Sequence, residues 1–432
     1  MAIPTRSNQP DDRSFLRTGA PDTPGADGEN HNDQSPIRPS APLDPEWIAP
    51  LAALDRIGMW AIHLDPPTTA GVSLHKALAK SLSQFALTYN GRWFQWDNGL
   101  YGCLLPDTDA AASAALARQF LSSWSDQRVE SLSIGVSQFP LLDFDRETCL
   151  FNACKALDHA AFFGPASVVI FDAVSLNISG DHYFQSGQPA DAIAEYRDAL
   201  RLDPNDVNVL NSLGGCLAQM EDRTGAREAF ATALQIDPRE PMALYNLGVL
   251  DLLDGQPEAA MDKFRQAHAL DAALFEPLLQ LGKWFTEQQA YDEACRYLEK
   301  AVVLQPERAA VHSLLGQCLA ARGHDREAIM ACKKAVKLNP NDAAAFSQLG
   351  MLYDAKGENP DICITFCRQS VTLCPDNSLF HLRLAALYHK HHHLEDALAA
   401  YQTAAELGAD TGNRITEIQE QLATPDARQR YA

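Results

Sequence analysis

Five prolines close similar four-residue runs: Arg201–Pro204, Gln235–Pro238, Val303–Pro306, Lys337–Pro340 and Thr372–Pro375. Their separations are 34, 68, 34 and 35 residues, so one period holds throughout with a single proline missing. A fixed period of roughly 20 to 50 residues constrains a chain strongly. One such unit cannot bury its apolar face alone, and stacked copies can.

Within the period other positions recur. Gly180, Gly214, Gly248, Gly282, Gly316, Gly350 and Ala385 hold the same place in successive units. Ala192, Ala226, Ala260, Ala294, Ala328 and Ala397 hold a second place, with Cys363 in the sixth unit. Tyr196, Phe230, Phe264, Leu298, Cys332, Cys367 and Tyr401 hold a third. Apolar spacing of three and four predicts two helices per unit, and the small residue lets them approach closely. The proline stops the second helix. Seven units follow at 173–206, 207–240, 241–274, 275–308, 309–342, 343–377 and 378–411. The third has Ala272 where proline is expected, and the sixth gains a residue near Asn359–Pro360. Asn413–Leu422 predicts a final capping helix, with a short tail, in residues 412–432.

These residues resemble the tetratricopeptide repeat (TPR) family. The resemblance implies an all-α superhelix of about seven repeats with a concave groove lined by the first helix of each unit. The groove candidates are Asn208, Asn211, Gln219, Tyr245, Lys283, Glu287, Ser313, Gln317, Ser347 and Lys390. Only Lys283 lies where some TPR proteins grip a chaperone's terminal carboxylate, and the companion Asn is missing, so that ligand is not expected.

The net charge of -21 argues against nucleic acid or an anionic membrane as partner, because phosphates reward clustered Lys and Arg. No run of 18 apolar residues predicts a membrane span, and Met1–Asn30 has no apolar signal core. Ten cysteines without a C-x-x-C pair fit reduced thiols in a cytoplasmic protein. Residues 1–45 hold eight prolines among polar residues and predict a disordered tail, passive or docking.

Residues 46–172 predict a separate α/β domain with an antiparallel-rich sheet. Strands are expected at 59–64, 92–96, 101–105, 130–138 and 166–171, and helices at 74–89, 109–124 (capped by Asp107 or Thr108) and 146–163. Leu104–Asp109 before an Ala-rich helix, the Leu132–Val136 strand with Phe139–Pro140, and the Ala153–Leu157 helix with Ala160 and Gly164 are similar to the GGDEF, or diguanylate cyclase, family. The resemblance places the signature hairpin on Asp97–Tyr101, with Gly99 and Leu100 where the family has its acids. Leucine cannot hold Mg²⁺ against phosphate. His63 and Asp65 stand alone on the early metal strand, Pro66–Pro67 follow at once, and Thr88–Gly91 lacks the product-inhibition Arg-x-x-Asp.

Two clusters suggest metal or thiol chemistry: His389, His391, His392 and His393 at a turn, and Cys363, Cys367 and Cys374. Their places in the repeat fit a solvated loop and packed core. No P-loop, Rossmann or Ser-His-Asp pattern is present. The expectation is a non-enzymatic bacterial scaffold or signalling adaptor without cofactor or metal. It would bind a protein or peptide in the repeat groove. The alternative is a sensor of GTP or cyclic di-GMP, with the α/β domain regulating the repeats.

Overall fold

The computed structural model describes residues 54–65, 72–97 and 99–423. The expected tail at 1–45, the domain start at 46, Pro66–Pro67, Asn98 and the last nine residues lie outside these. The described residues divide into two compact units that meet in sequence between Asn246 and Leu247.

The first unit opens with a five-stranded sheet in the order β2-β3-β1-β4-β5. Its strands are β1 (Ile57–Leu64), β2 (Arg92–Asp97), β3 (Leu100–Pro106), β4 (Leu132–Phe139) and β5 (Val168–Ile170). β1 runs antiparallel to β3 and β4, and β5 joins β4 in parallel. β1 is central and apolar on both faces, so alternate residues feed two layers. Trp60, Ile62 and Leu64 pack with α1 (Val72–Thr88) and α2 (Ala110–Ser125) through Leu78, Leu82, Ala117 and Phe120. Ile57, Met59 and Ala61 face α3 (Arg146–Ala160) through Cys149, Leu150, Ala153 and Leu157.

Some boundaries differ from the sequence expectation. Asp109 caps α2 by accepting from the Ala112 amide at 2.8 Å. Thr108 instead bridges Gly58 N and Leu105 O, which removes it from capping. The helix expected to reach Phe163 ends at Ala160 and tightens into one 3-10 turn at 161–163. β5 is shorter than expected because Ala166 sits at φ 60°, outside the extended region.

Asp172 then caps α4 (Ala173–Gln185) in a reciprocal box with Ser175. Lys155 of α3 pairs with Glu195 of α5 (Pro189–Leu202) at 2.8 Å, and Arg201 pairs with Asp143 at 2.5 Å. Sheet and first helix pair are thereby fastened to one another. The first unit continues through α6 (Val207–Gln219), α7 (Arg223–Ile236) and the start of α8 (Pro241–Leu253).

The second unit begins within α8 and contains α9 (Pro257–Leu270), α10 (Phe275–Glu287), α11 (Tyr291–Leu304), α12 (Ala309–Ala321) and α13 (Asp325–Leu338). It ends with α14 (Ala343–Ala355), α15 (Pro360–Leu373), α16 (Ser378–Lys390), α17 (Leu394–Glu406) and α18 (Arg414–Ala423). Ile418 of α18 is fully buried, so the last helix closes the apolar end of the preceding pair.

Each pair turns through one left-handed residue at a fixed place: Gly187, Glu221, Gly255, Gln289, Gly323, Gly357 and His392. Glycine adopts that conformation freely, whereas a Cβ strains it. Asp203, Asp237, Asp271 and Asn339 each accept the backbone amide two residues on, which forms the turn between units.

Two substitutions test this packing. A Cβ at Gly135 would overlap the carbonyl oxygen of Ala153 and the amide of Leu157, both backbone. Gly135→Ala is expected to destabilise the first unit by about 3 kcal/mol in denaturant titration. Gln289→Gly, at φ 58°, is expected to stabilise the second by about 1 kcal/mol in the same assay.

Candidate partner-binding face of the helix pairs

The groove candidates lie on the first helix of each pair. Counted within the repeat, Asn211, Tyr245, Ser313 and Ser347 share the fifth place. The structure turns this place into a joint between neighbouring units. Asn211 Nδ2 donates to Glu240 Oε1 at 3.3 Å, and Glu240 in turn accepts from the Met242 amide of α8. Ser313 Oγ donates to Asp342, which caps α14. Ser347 accepts from Arg383 Nη1 at 3.0 Å. Asn211, Tyr245 and Ser347 are 1%, 0% and 0% exposed. All three are buried, so they do not line an open face as expected.

Asn208, Gln219, Glu287 and Gln317 are exposed, and Lys283 and Ser313 are half-buried. Lys390 is also exposed but pairs with Asp354 at 2.8 Å, beside His391 at 2.8 Å from the same carboxylate. Burial alone would raise the Asp354 pKa; the bonds from Lys390 and His391 outweigh it and hold it low. The histidine cluster is therefore split: His391 ties two repeats together and His392 makes the left-handed turn. Cys363 and Cys367 are buried core and Cys374 is exposed. Burial pushes the Cys367 thiol up to about 12. Among the described residues no group of three His, Cys, Asp or Glu could hold a metal.

The sequence reading missed a polar cluster in the first unit. Asn177 and Asp181 lie one turn apart on α4, which packs against α6 carrying Asn211 and Ser212. Tyr196 donates to Asp181 Oδ1 at 2.7 Å, and Ser212 bonds the same carboxyl. Burial raises the Asp181 pKa to about 6 against those two hydrogen bonds. Burial also raises Glu240. Asn177 is the thirty-fourth residue before Asn211, a signal available had the first unit been aligned with the second. In the other unit, the Arg383 guanidinium is largely buried against Ser347, Cys332 and Cys367, and burial lowers its pKa.

On the sheet, Asp65 is 9% exposed. Its two oxygens accept from Ser133 Oγ at 2.6 Å and the Ala166 amide at 2.8 Å, tying β1 to β4 and the approach to β5. Burial lowers the His63 pKa against the opposing pull of Asp65. Leu100 is buried at the hairpin, and Tyr101 OH lies 2.6 Å from His75 Nδ1. The expected hairpin residue Asn98 is not described.

Two family models, both described as tetratricopeptide repeat, match the chain, one at residues 179–241 and 217–273 and the other at 285–352. The TPR repeat-containing protein YpiA of Bacillus subtilis is 28% identical over 157 residues, covering 35% of this chain and 36% of its own. The TPR repeat-containing protein PA4299 of Pseudomonas aeruginosa is 38% identical over 76 residues, covering 18% of this chain and 31% of its own. The matches thus span about a third of each relative. Among solved structures, Pseudomonas aeruginosa PilF aligns with 53% of this chain and 99% of its own, at 22% identity and a TM-score of 0.42. The family models fall on helix pairs that repeat every 34 residues, and the matched pairs, residues 179–273 and 285–352, are tetratricopeptide repeats.

Proposed function

We propose that this chain is a cytoplasmic scaffold or signalling adaptor whose repeats bind a protein or peptide partner along their first helices. The observation that carries this is the series of seven helix pairs, three of which present exposed Asn208, Gln219, Glu287 and Gln317 on their first helices. Such a surface offers hydrogen-bonding groups on successive helices, which suits an extended segment rather than a small molecule.

In this reading the sheet region, residues 46–172, is a degenerate GGDEF-like domain that serves as a fused platform without catalysis. Leu100 supports it, since an apolar buried side chain stands at one acidic place of the hairpin. Asp65 supports it as well, because both its oxygens are engaged in joining strands. The Tyr101–His75 pair beside the hairpin favours a second reading, a nucleotide sensor that regulates the repeats.

Two measurements separate these. Affinity purification on the full chain and on a variant with Asn208, Gln219, Glu287 and Gln317 changed to Ala is expected to recover one partner with the first and lose it with the second. Equal recovery moves the contact off the first helices. Calorimetry with GTP and cyclic di-GMP in the presence of Mg²⁺ is expected to show neither turnover nor binding heat; micromolar binding establishes the sensor.

A further inference from the structure

One guanidinium of the second unit has no charge to match it. Arg201, Arg265, Arg296, Arg322 and Arg414 each have a carboxylate oxygen within 3.3 Å. Arg383 of α16 is half-buried and has none among the described residues. Its bond there is Nη1 donating to Ser347 Oγ of α14 at 3.0 Å. The acids at the two ends of α14 are committed elsewhere. Asp342 caps the helix and accepts from Ser313, and Asp354 holds Lys390 and His391. Cys332 and Cys367 face the guanidinium from α13 and α15, but burial pushes both thiols up to about 12, so they stay neutral. A cation drawn out of water is costly without an anion. A guanidinium carries five N–H groups, and no nitrogen of Arg383 is sealed from solvent without a partner, so the donors that Ser347 leaves free can be reached.

We infer that Arg383, between first helices α14 and α16, receives the side-chain carboxylate of an Asp or Glu residue from a protein partner. With Nη1 on Ser347, the Nε–Nη2 edge presents two parallel donors, the fork that a carboxylate matches. The single positive charge suits one carboxylate. A phosphate would call for a second cation, and Lys390 is already held by Asp354. Leu379 lies one turn before Arg383 on the same helix face and is 47% exposed, so the partner's acid is expected beside an apolar residue. The site rests on the binding role proposed above and specifies the partner's chemistry.

A random dodecapeptide display library selected on the full chain tests this. The peptides are fused at both ends, so side chains carry their only carboxylates. Enriched peptides are expected to share an Asp or Glu next to an apolar residue. Changing that acid to its amide should weaken binding to the wild type about tenfold or more. The comparison uses the native chain alone, so it stands however a variant folds. A consensus without an acid, or an amide peptide that binds equally, overturns the inference and leaves the binding role standing. No enrichment at all overturns both.

Two further arms locate the contact. Arg383→Gln should bind the acid and amide peptides alike, because the group that tells them apart is gone. A preference for the acid that survives in Arg383→Gln places the contact elsewhere and overturns the assignment. Inorganic phosphate and acetate, at matched ionic strength, are then compared as competitors of the acid peptide on the wild type. A site with one cation is expected to be displaced similarly by both. Displacement by phosphate at far lower concentration than by acetate overturns the carboxylate assignment.

Discussion

Six of the seven helix pairs depend on one contact: a glycine on the first helix meets a knob on the second. A Cβ at Gly180 would overlap the Tyr196 ring, and one at Gly214 the Phe230 ring. The same holds for Gly248 with Phe264, Gly282 with Leu298, Gly316 with Cys332 and Gly350 with Cys367. Full burial of one such large apolar side chain is worth about 1.5–3 kcal/mol. The contact also fixes how far apart the two helices lie. That separation sets the spacing of the first helices, and hence which fifth-place residues are enclosed and which ninth- and thirteenth-place residues meet solvent.

Polar chemistry in the array follows from that spacing. Where first helices come together, Asn211, Ser313 and Ser347 are used to hold the next unit rather than a ligand. Asp181 differs because its surroundings supply hydroxyls instead of a cation, so burial dominates its titration. Asp354 meets Lys390 and His391 and shows the opposite outcome for the same side chain. Local partners, not repeat position alone, decide which acids are structural.

Much of the fold was legible because it rests on local rules. Prolines mark where second helices stop, and the glycine and alanine series marks the crossing, so all seven pairs could be read in order. The left-handed turn was less visible, since Glu221, Gln289 and His392 interrupt the glycines that would announce it. On the sheet, alternation gave the strands, but the ties of Asp65 to Ser133 and Ala166 span 68 and 101 residues and carry no periodic signal. The candidate face was read least well. Solvent exposure depends on neighbouring units, so Tyr245 and Ser347 looked available while Asn177 and Asp181 passed unnoticed.

The knobs also shrink along the first six pairs, from Tyr196, Phe230 and Phe264 through Leu298 to Cys332 and Cys367, before Tyr401 restores an aromatic ring in the seventh. A thiol buries far less apolar surface than a phenyl ring, so successive pairs are held by unequal amounts of contact. In a linear array each unit contributes its own increment of cohesion. Amide hydrogens in α12 to α15 should therefore exchange with solvent through smaller openings than those in α6 to α9. Cohesion is thus weakest within the pairs built on cysteine and strongest within those built on aromatic rings.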